Sequence, residues 1–172
     1  MMFFTQDWRK PMTEQALQLL SAIDASFYHY TGVYLPCPPS LSDRYDWLHN
    51  NAPYSLVAHN SEKDPKFIYT NMQALKCFKY PLQEFLGLPS RLSASENDQP
   101  ERQALLQTVK NRGIAFNYSG PRVDKHNNQF IIYDGIVWQS CESNKPIFGQ
   151  AALFWPDDSE KPYWFSEEFF IQ

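Results

Sequence analysis

The chain has 172 residues, of which 43% are hydrophobic and 16% aromatic, and its formal net charge is −4 at pH 7. This length and apolar content predict one folded domain with a flanking segment, and they exclude a wholly disordered chain. An acidic chain without a long basic run is not expected to bind nucleic acid, and no stretch reaches the ~20 apolar residues of a membrane span.

The cysteines and the first residues indicate a cytoplasmic protein. Cys37, Cys77 and Cys141 are odd in number and far apart, which fits reduced thiols rather than a disulfide framework. Residues 1–8 have neither the basic start nor the long apolar core of a secretory signal. Because no Cys-x-x-Cys or His-x-x-x-His spacing is present, we expect no metal site.

Residues 1–50 are predicted to form a helical lead-in. A helix over 13–28 is indicated by apolar residues at helical spacing, namely Leu17, Leu20, Ile23 and Phe27. The proline-rich segment 36–39 cannot lie inside a helix and marks a boundary. A second, short helix follows, with apolar positions at i, i+4 and i+7: Leu41, Tyr45 and Leu48.

The next part of the chain alternates short strands with short helices. Strands are predicted over 52–60 and 66–70, with a polar turn between them. Asn71 can cap a short helix, and Pro81 can begin another. A longer helix is predicted over 97–113, and a glycine ends it.

Three strands complete the predicted domain. They cover 114–118, 129–140 and 147–154, and polar turns separate them. Strands joined by such turns favour antiparallel pairing, with the helices in a crossover. We therefore predict an α+β fold over 51–155: a five-stranded antiparallel sheet with short crossover helices, preceded by the N-terminal helical extension. The tail, 156–172, mixes charged and aromatic residues and can dock on the domain or on a partner.

The order of these elements resembles that of PAS domains. Residues 77–87, Cys-Phe-Lys-Tyr-Pro-Leu-Gln-Glu-Phe-Leu-Gly, are similar to a helical segment of that fold. More specifically, the chain resembles the MEKHLA family of PAS-like domains in these motifs: Ala52-Pro53-Tyr54, His59-Asn60, Asp64-Pro65-Lys66-Phe67-Ile68-Tyr69-Thr70-Asn71, Leu88-Pro89-Ser90-Arg91, Glu101-Arg102, Gly120-Pro121-Arg122, Val137-Trp138 and Gly149-Gln150-Ala151-Ala152. The resemblance implies a sensory or interaction module and names no ligand.

The resemblance also implies a pocket between the sheet and the crossover helices, and Arg91 is predicted to lie in the region that lines it. A guanidinium group presents a planar fork of donors that suits a carboxylate or a phosphate. The alternative is a structural ion pair with a nearby acid such as Glu101, and we favour this alternative.

Further ligand-binding candidates lie on the later strands: Tyr118, Arg122, Asp134 and Trp138. Strict alternation along the long strand predicts one shared face for Ile132, Asp134, Ile136 and Trp138. A buried Asp134 needs a partner, which is Arg91, Arg122 or a polar ligand, and internal pairing is the simpler interpretation. Trp138 is either a core residue, the simpler interpretation, or a stacking surface for a flat ligand.

Gln150 and His59 raise the question of a cofactor, which the sequence leaves unidentified. Gln150 resembles a glutamine that contacts the flavin in photosensory PAS domains. Ser90 stands where those domains carry their photoreactive cysteine, so a cysteinyl photoadduct at that position is excluded. His59 could ligate haem or exchange a proton near neutral pH, but a turn hydrogen bond is the favoured role because the predicted crossover contains no histidine.

The favoured function is binding. We expect a cytoplasmic PAS-like sensory module that binds an unidentified small molecule, a protein partner or both, with a homodimer as the default assembly. The signal would leave through the exposed side of the first helix or through the outer sheet. Two alternatives stay open: an enzyme acting on a small carboxylate held by Arg91 or Arg122, and an interaction domain whose pocket is filled by its own aromatic residues. No catalytic residue is assigned.

Overall fold

The computed structural model describes residues 12–141 and 147–166. Its helices are α1 Glu14–Thr31, α2 Arg44–Asn50, α3 Met72–Phe78, α4 Leu82–Phe85 and α5 Gln99–Arg112, with a 3-10 helix at Ser90–Ser93. Its strands are β1 Ser55–Asn60, β2 Phe67–Thr70, β3 Ile114–Val123, β4 Gln129–Cys141 and β5 Ile147–Trp155. No helix within the described ranges is long and apolar enough to cross a membrane. The polar turn predicted before β5 and the last residues of the tail lie outside these ranges.

The five strands form one antiparallel sheet in the order β2-β1-β5-β4-β3. β5, the last strand in the chain, pairs with β1 on one side and with β4 on the other. The short helices and α5 occupy the connection between β2 and β3, which are the two edge strands. This arrangement confirms the predicted α+β fold with its N-terminal helix and crossover helices.

Helix ends follow signals that the local sequence provides. The hydroxyl of Thr13 accepts a hydrogen bond from the amide of Ala16 at 3.1 Å and caps α1. The helix continues past its predicted end at Tyr28 and stops at Gly32, whose φ of +78° belongs to the left-handed region that favours glycine. Asn71 caps α3 as predicted, accepting from the amide of Ala74 at 3.0 Å.

Helix α1 covers the outer face of the sheet. The Trp138 indole lies edge-on to the Phe27 ring with 4.9 Å between ring centres, and its Nε1 donates to the carbonyl of Ile23 at 3.3 Å. The hydroxyl of Ser26 accepts from the amide of Cys141 at 2.9 Å. Helix α1 therefore packs on the outer sheet, one of the two surfaces predicted to contact a partner, and the choice of partner surface stays a prediction.

A bulge in β4 changes which side chains face which layer. The pairing of β4 with β5 shifts between Tyr133 and Ile136, and Asp134 has a left-handed φ of +50°. Before the bulge Ile132 packs on the inner face, whereas after it Ile136 and Trp138 pack on the outer face. The prediction of one shared face for these residues and Asp134 is wrong, because side chains alternate regularly only along an unbroken strand.

Aromatic rings fill the inner face beneath the short helices. The Phe67 ring stacks on Phe85 with 4.3 Å between ring centres, and Phe78 lies 5.6 Å from Phe85. These rings belong to a cluster that also contains Ile132 and Phe154. The cluster packs beneath α3 and α4 and leaves a cavity toward α5.

The described part of the tail docks on the outer core. Phe165 is 6% exposed, and its ring centre lies 4.9 Å from that of Trp155. The Trp164 ring lies edge-on to Trp47 of α2 at 5.3 Å. Docking on the domain, one of the two predicted roles of the tail, therefore holds for its described residues.

Candidate ligand-binding site

A cavity of about 60 Å³ lies between the inner face of the sheet and α5. Apolar side chains form most of its wall, including Val57, Phe67, Phe78, Leu105, Ile132 and Phe154. A water molecule needs ~10–15 Å³ of such volume, so the cavity has room for roughly four to six water-sized groups. That is far below the ~300–1,000 Å³ of pockets for drug-sized ligands.

Polar side chains complete the wall: His59, Ser93, Arg102, Tyr118, Arg122 and Gln150. They come from β1, the 3-10 helix, α5, β3 and β5. His59 and Gln150 are direct cross-strand partners, which places them on the same face of the sheet. Gly149 permits this close pairing, because a Cβ atom there would lie 1.7 Å from the carbonyl oxygen of His59.

His59 offers an unprotonated nitrogen to the cavity. Its Nδ1 donates to the carbonyl of Asn60 at 2.9 Å, and its Nε2 is buried without a hydrogen bond within the described residues. Burial lowers the pKa of His59 to about 4. The charge of Arg102 also lowers this pKa, whereas the hydrogen bond to Asn60 raises it by less than burial lowers it. The ring is therefore neutral at pH 7, and Nε2 is an acceptor.

Gln150 offers a second acceptor. Its Nε2 donates to the carbonyl of Leu106 in α5 at 3.1 Å, and this bond assigns the amide orientation. Its Oε1 is buried and has no hydrogen-bond partner in the described part of the chain. The same residue thus ties β5 to α5 and presents an unsatisfied oxygen.

Two arginines supply the donors. Arg102 is 6% exposed and its Nη2 donates to the hydroxyl of Ser90 at 2.7 Å. Burial and the charge of Arg122 lower the pKa of Arg102 to about 10, so it stays cationic at pH 7. Arg122 is also 6% exposed and donates through Nη1 to the hydroxyl of Tyr118 at 3.0 Å and to the carbonyl of Pro121 at 2.6 Å.

A wider groove of about 650 Å³ adjoins the cavity. Four side chains line both spaces: His59, Arg102, Leu106 and Gln150. Arg91 lies in this groove and not in the cavity; its Nε is 3.2 Å from Asp64 in an exposed ion pair. The favoured structural pairing of Arg91 therefore exists, but with Asp64 rather than with Glu101.

The structure brings together four of the predicted ligand-binding residues, namely His59, Tyr118, Arg122 and Gln150, at one cavity. It places Asp134 and Trp138 elsewhere. Asp134 pairs with Lys161 at 3.0 Å, and Trp138 is fully buried under α1 on the opposite face of the sheet. The bulge at Asp134 is the physical reason for the position of Trp138, since it shifts the alternation along β4 by one residue, so that Ile136 and Trp138 face outward while Val137 lines the cavity.

Two polar residues of the cavity wall, Ser93 and Arg102, were not predicted from the sequence. Of these, Arg102 carries a sequence signal. It precedes Leu105, Leu106 and Val109 at helical spacing, so it lies on the apolar stripe of α5. A charged residue on such a stripe is unusual, and this is the signal that could have identified it.

The family model of the MEKHLA domain matches residues 17–156. The chain belongs to the MEKHLA family. The MEKHLA match begins in α1 and extends through β5, so it includes both the outer helix and every strand around the cavity. The division of the chain into a lead-in, a domain and a tail stays a prediction. No curated protein shows significant similarity to the chain.

Solved structures with a similar fold are PAS and light-oxygen-voltage (LOV) domains. A PAS domain from Colwellia psychrerythraea has a TM-score of 0.58 and 13% identity, with 66% of this chain and 93% of that chain covered. The LOV domain of the blue-light activated histidine kinase from Erythrobacter litoralis EL346 has a TM-score of 0.51 and 15% identity, covering 60% and 95%. The Rhodobacter sphaeroides LOV protein has a TM-score of 0.52 and 11% identity, covering 63% and 61%.

At these identities the likeness establishes the PAS fold of the MEKHLA chain and nothing finer. The fused rings of a flavin do not fit a cavity of about 60 Å³.

Acid is expected to destabilise the MEKHLA domain through His59. Its pKa is about 4 in the folded chain against an ordinary value of 6.5, so below pH ~6.5 the unfolded chain binds a proton that the folded chain does not. The free energy of unfolding should fall by up to ~3 kcal/mol as the pH drops from about 6.5 to 4. Urea unfolding at a series of pH values measures this slope.

The His59→Gln variant should lose this part of the pH dependence, whereas His126→Gln, at an exposed position, should retain it. An unchanged slope in His59→Gln would show that His59 titrates normally in the folded chain.

Proposed function

We propose that this MEKHLA protein is a sensory module that binds a small molecule in the inner cavity and passes the signal on by protein contact. The observation that carries this proposal is the pair of buried acceptors, His59 Nε2 and Gln150 Oε1, which lack hydrogen bonds within the described residues. An unpaired buried acceptor costs about 1–3 kcal/mol, and native interiors seldom retain one without a role. A ligand that donates a hydrogen bond would satisfy at least one of them.

Helix α5 is the element that such a ligand would move. Its buried residues are Arg102 and Val109, and polar contacts through Leu106 and Glu101 tie it to Gln150 and Tyr118. A helix with few buried apolar contacts has a low local stability. A ligand that contacts both Arg102 and Gln150 would therefore shift the population of α5 toward the docked position.

The polar groups of the cavity favour binding over catalysis. A histidine whose pKa is about 4 is a weak base at neutral pH. The hydroxyl of Ser90 accepts a hydrogen bond from Arg102 rather than donating to a base. We accordingly assign no catalytic residue and propose a non-enzymatic role.

The proposed partner surface is the exposed side of α1. Tyr28 of α1 and Tyr34, which follows the helix, are 46% and 55% exposed, and their rings stack with 4.5 Å between centres. Exposed aromatic side chains of this kind are typical of protein interfaces, which supports a homodimer as the assembly. A cytoplasmic location is part of the proposal and is supported by the free thiols of Cys37, Cys77 and Cys141.

Mass spectrometry of the full chain purified from its own host tests the ligand. Native spectra should show a retained small mass that denaturing spectra lose, and an absorbance spectrum recorded beside them would identify a coloured species. The Ala152→Leu variant fills the cavity wall and should lose this mass. Ala104→Leu, on the exposed side of α5, is the matched control and should keep it. A chain without any retained mass would contradict the ligand-binding proposal.

A further inference from the structure

Two buried arginines line the same cavity, and neither forms an ion pair with a carboxylate of the described residues. Arg102 comes from α5 and Arg122 from β3, and the ion pairs among the described residues all involve other side chains. The hydrogen bonds of the two guanidinium groups within the described residues go to neutral acceptors, two hydroxyls and one backbone carbonyl. A buried cation is costly without a counter-ion, and a second cation beside it adds repulsion. The cavity is therefore electrostatically suited to an anion.

The acid closest to this pair along the hydrogen-bond network does not neutralise it. Glu101 is exposed, and its Oε2 accepts from the hydroxyl of Tyr118 at 2.9 Å rather than from an arginine. Solvent screens the charge of an exposed carboxylate. Asp64 in the adjoining groove also acts on Arg102 through its charge, but it is half exposed and pairs with Arg91. The residues that line the cavity itself include neither aspartate nor glutamate.

On the basis of the proposed function, we propose that the ligand is a small hydroxycarboxylate. Its carboxylate would accept hydrogen bonds from the guanidinium groups of Arg102 and Arg122. Its hydroxyl would donate to His59 Nε2 or Gln150 Oε1, the two acceptors that lack partners within the described residues.

Charge and size both favour this class. An ammonium group could also donate to His59 or Gln150, but the two arginines would repel it, and no acid lines the cavity to offset them. A neutral hydroxyl avoids this repulsion. Room for roughly four to six water-sized groups matches molecules such as glycolate and lactate.

Calorimetric titration of the full chain compares four probes: glycolate, lactate, acetate and glycolamide. Glycolate or lactate should bind saturably. Acetate, which lacks the hydroxyl, should bind about 10-fold more weakly than glycolate, because it leaves one more buried acceptor unpaired than glycolate does. Glycolamide has the shape of glycolate without its charge and should also bind at least ~10-fold more weakly. Equal binding of glycolate and glycolamide overturns the inference, as does the absence of binding by both hydroxy acids.

Variants test which residues bind the carboxylate of the ligand and which bind its hydroxyl. Arg102→Met and Arg122→Met should each weaken glycolate binding at least ~10-fold, whereas Arg112→Met, at an exposed position on the same helix, should leave it unchanged. Either His59→Leu or Gln150→Leu, according to which acceptor the hydroxyl uses, should reduce glycolate affinity toward that of acetate and leave acetate affinity unchanged. Full glycolate affinity in both the Arg102 and Arg122 variants overturns the inference.

A stability measurement separates ligand binding from a structural role of the arginines. Without small acids in the buffer, Arg102→Met should keep or raise the Tm, because it removes a buried unpaired charge. A structural role predicts a lower Tm together with unchanged glycolate binding, and that result overturns the inference.

Native mass spectrometry distinguishes failure of this inference from failure of the proposed function. If the protein retains a neutral molecule and Ala152→Leu displaces it, the proposal of a hydroxycarboxylate ligand is wrong, whereas the proposed ligand-binding function is supported. No retained molecule and no probe binding would overturn both.

Discussion

The Asp24→Ala variant is expected to lose about 3–5 kcal/mol of unfolding free energy. This loss and the one expected for Trp138→Ala are the two largest effects that the structure predicts. Asp24 lies on α1 and is 1% exposed. Its carboxylate accepts two hydrogen bonds from Arg44 at 2.6 and 2.8 Å and one from the amide of Leu35 at 2.8 Å. Its removal leaves a partly buried cation and a buried amide without this acceptor, and both costs oppose the docking of α1.

An exposed ion pair provides the matched control for Asp24. Lys125 and Glu84 lie 2.7 Å apart, close to the distance in the Asp24 pair, but are 37% and 50% exposed. Glu84→Ala should therefore cost less than ~1 kcal/mol. The double variant Asp24→Leu with Arg44→Met should recover part of the loss, because no uncompensated charge remains.

Urea unfolding and hydrogen exchange of the α1 amides measure these effects. Asp24→Ala should show a lower unfolding midpoint and faster exchange along α1. A loss as small as that of Glu84→Ala would show that the buried pair does not hold α1 to α2 and to the segment between them.

The Trp138→Ala variant should also lose about 3–5 kcal/mol, because it opens a cavity where a fully buried ring packs. The indole contacts Phe27 and donates to the carbonyl of Ile23, so the loss also weakens the docking of α1. Because Trp138 faces away from the inner cavity, any retained ligand should persist in this variant under conditions where it is folded.

Trp138→Phe is the conservative control and should cost less, since it keeps most of the packing and loses the indole hydrogen bond, worth ~1 kcal/mol. Urea unfolding gives the stability of each variant, and native mass spectrometry gives the ligand occupancy. A variant that loses the ligand while keeping its stability would restore the interpretation of Trp138 as a stacking surface.

The position of α1 connects these expectations to signalling. The helix lies on the opposite face of the sheet from the cavity, and Trp138 and Gln150 lie on the adjacent strands β4 and β5. A ligand that binds Gln150 and a partner that contacts α1 would therefore act on opposite faces of the adjacent strands β4 and β5. Variants that loosen α1 test whether partner contact changes without loss of the ligand.

Local signals in the sequence determined the elements and their order. Thr13 and Gly32 bound α1, Asn71 caps α3, and hydrophobic periodicity places the strands and α5 near their observed positions. Capping and periodicity act over a few residues, so they can be read without knowledge of the fold. The family motifs then led to the PAS fold, and they include His59 and Gln150, which pair across β1 and β5.

Only the tertiary structure decided which side chains meet. The bulge at Asp134 sends Trp138 to the outer face, and α1 then buries that face; neither follows from a regular alternation of side chains. Arg102 and Arg122 lie far apart in the chain and meet because α5 packs over β3 and the inner face of the sheet. The sequence therefore determined the fold, whereas the site depends on one irregular residue in a strand and on long-range packing, which local patterns do not encode.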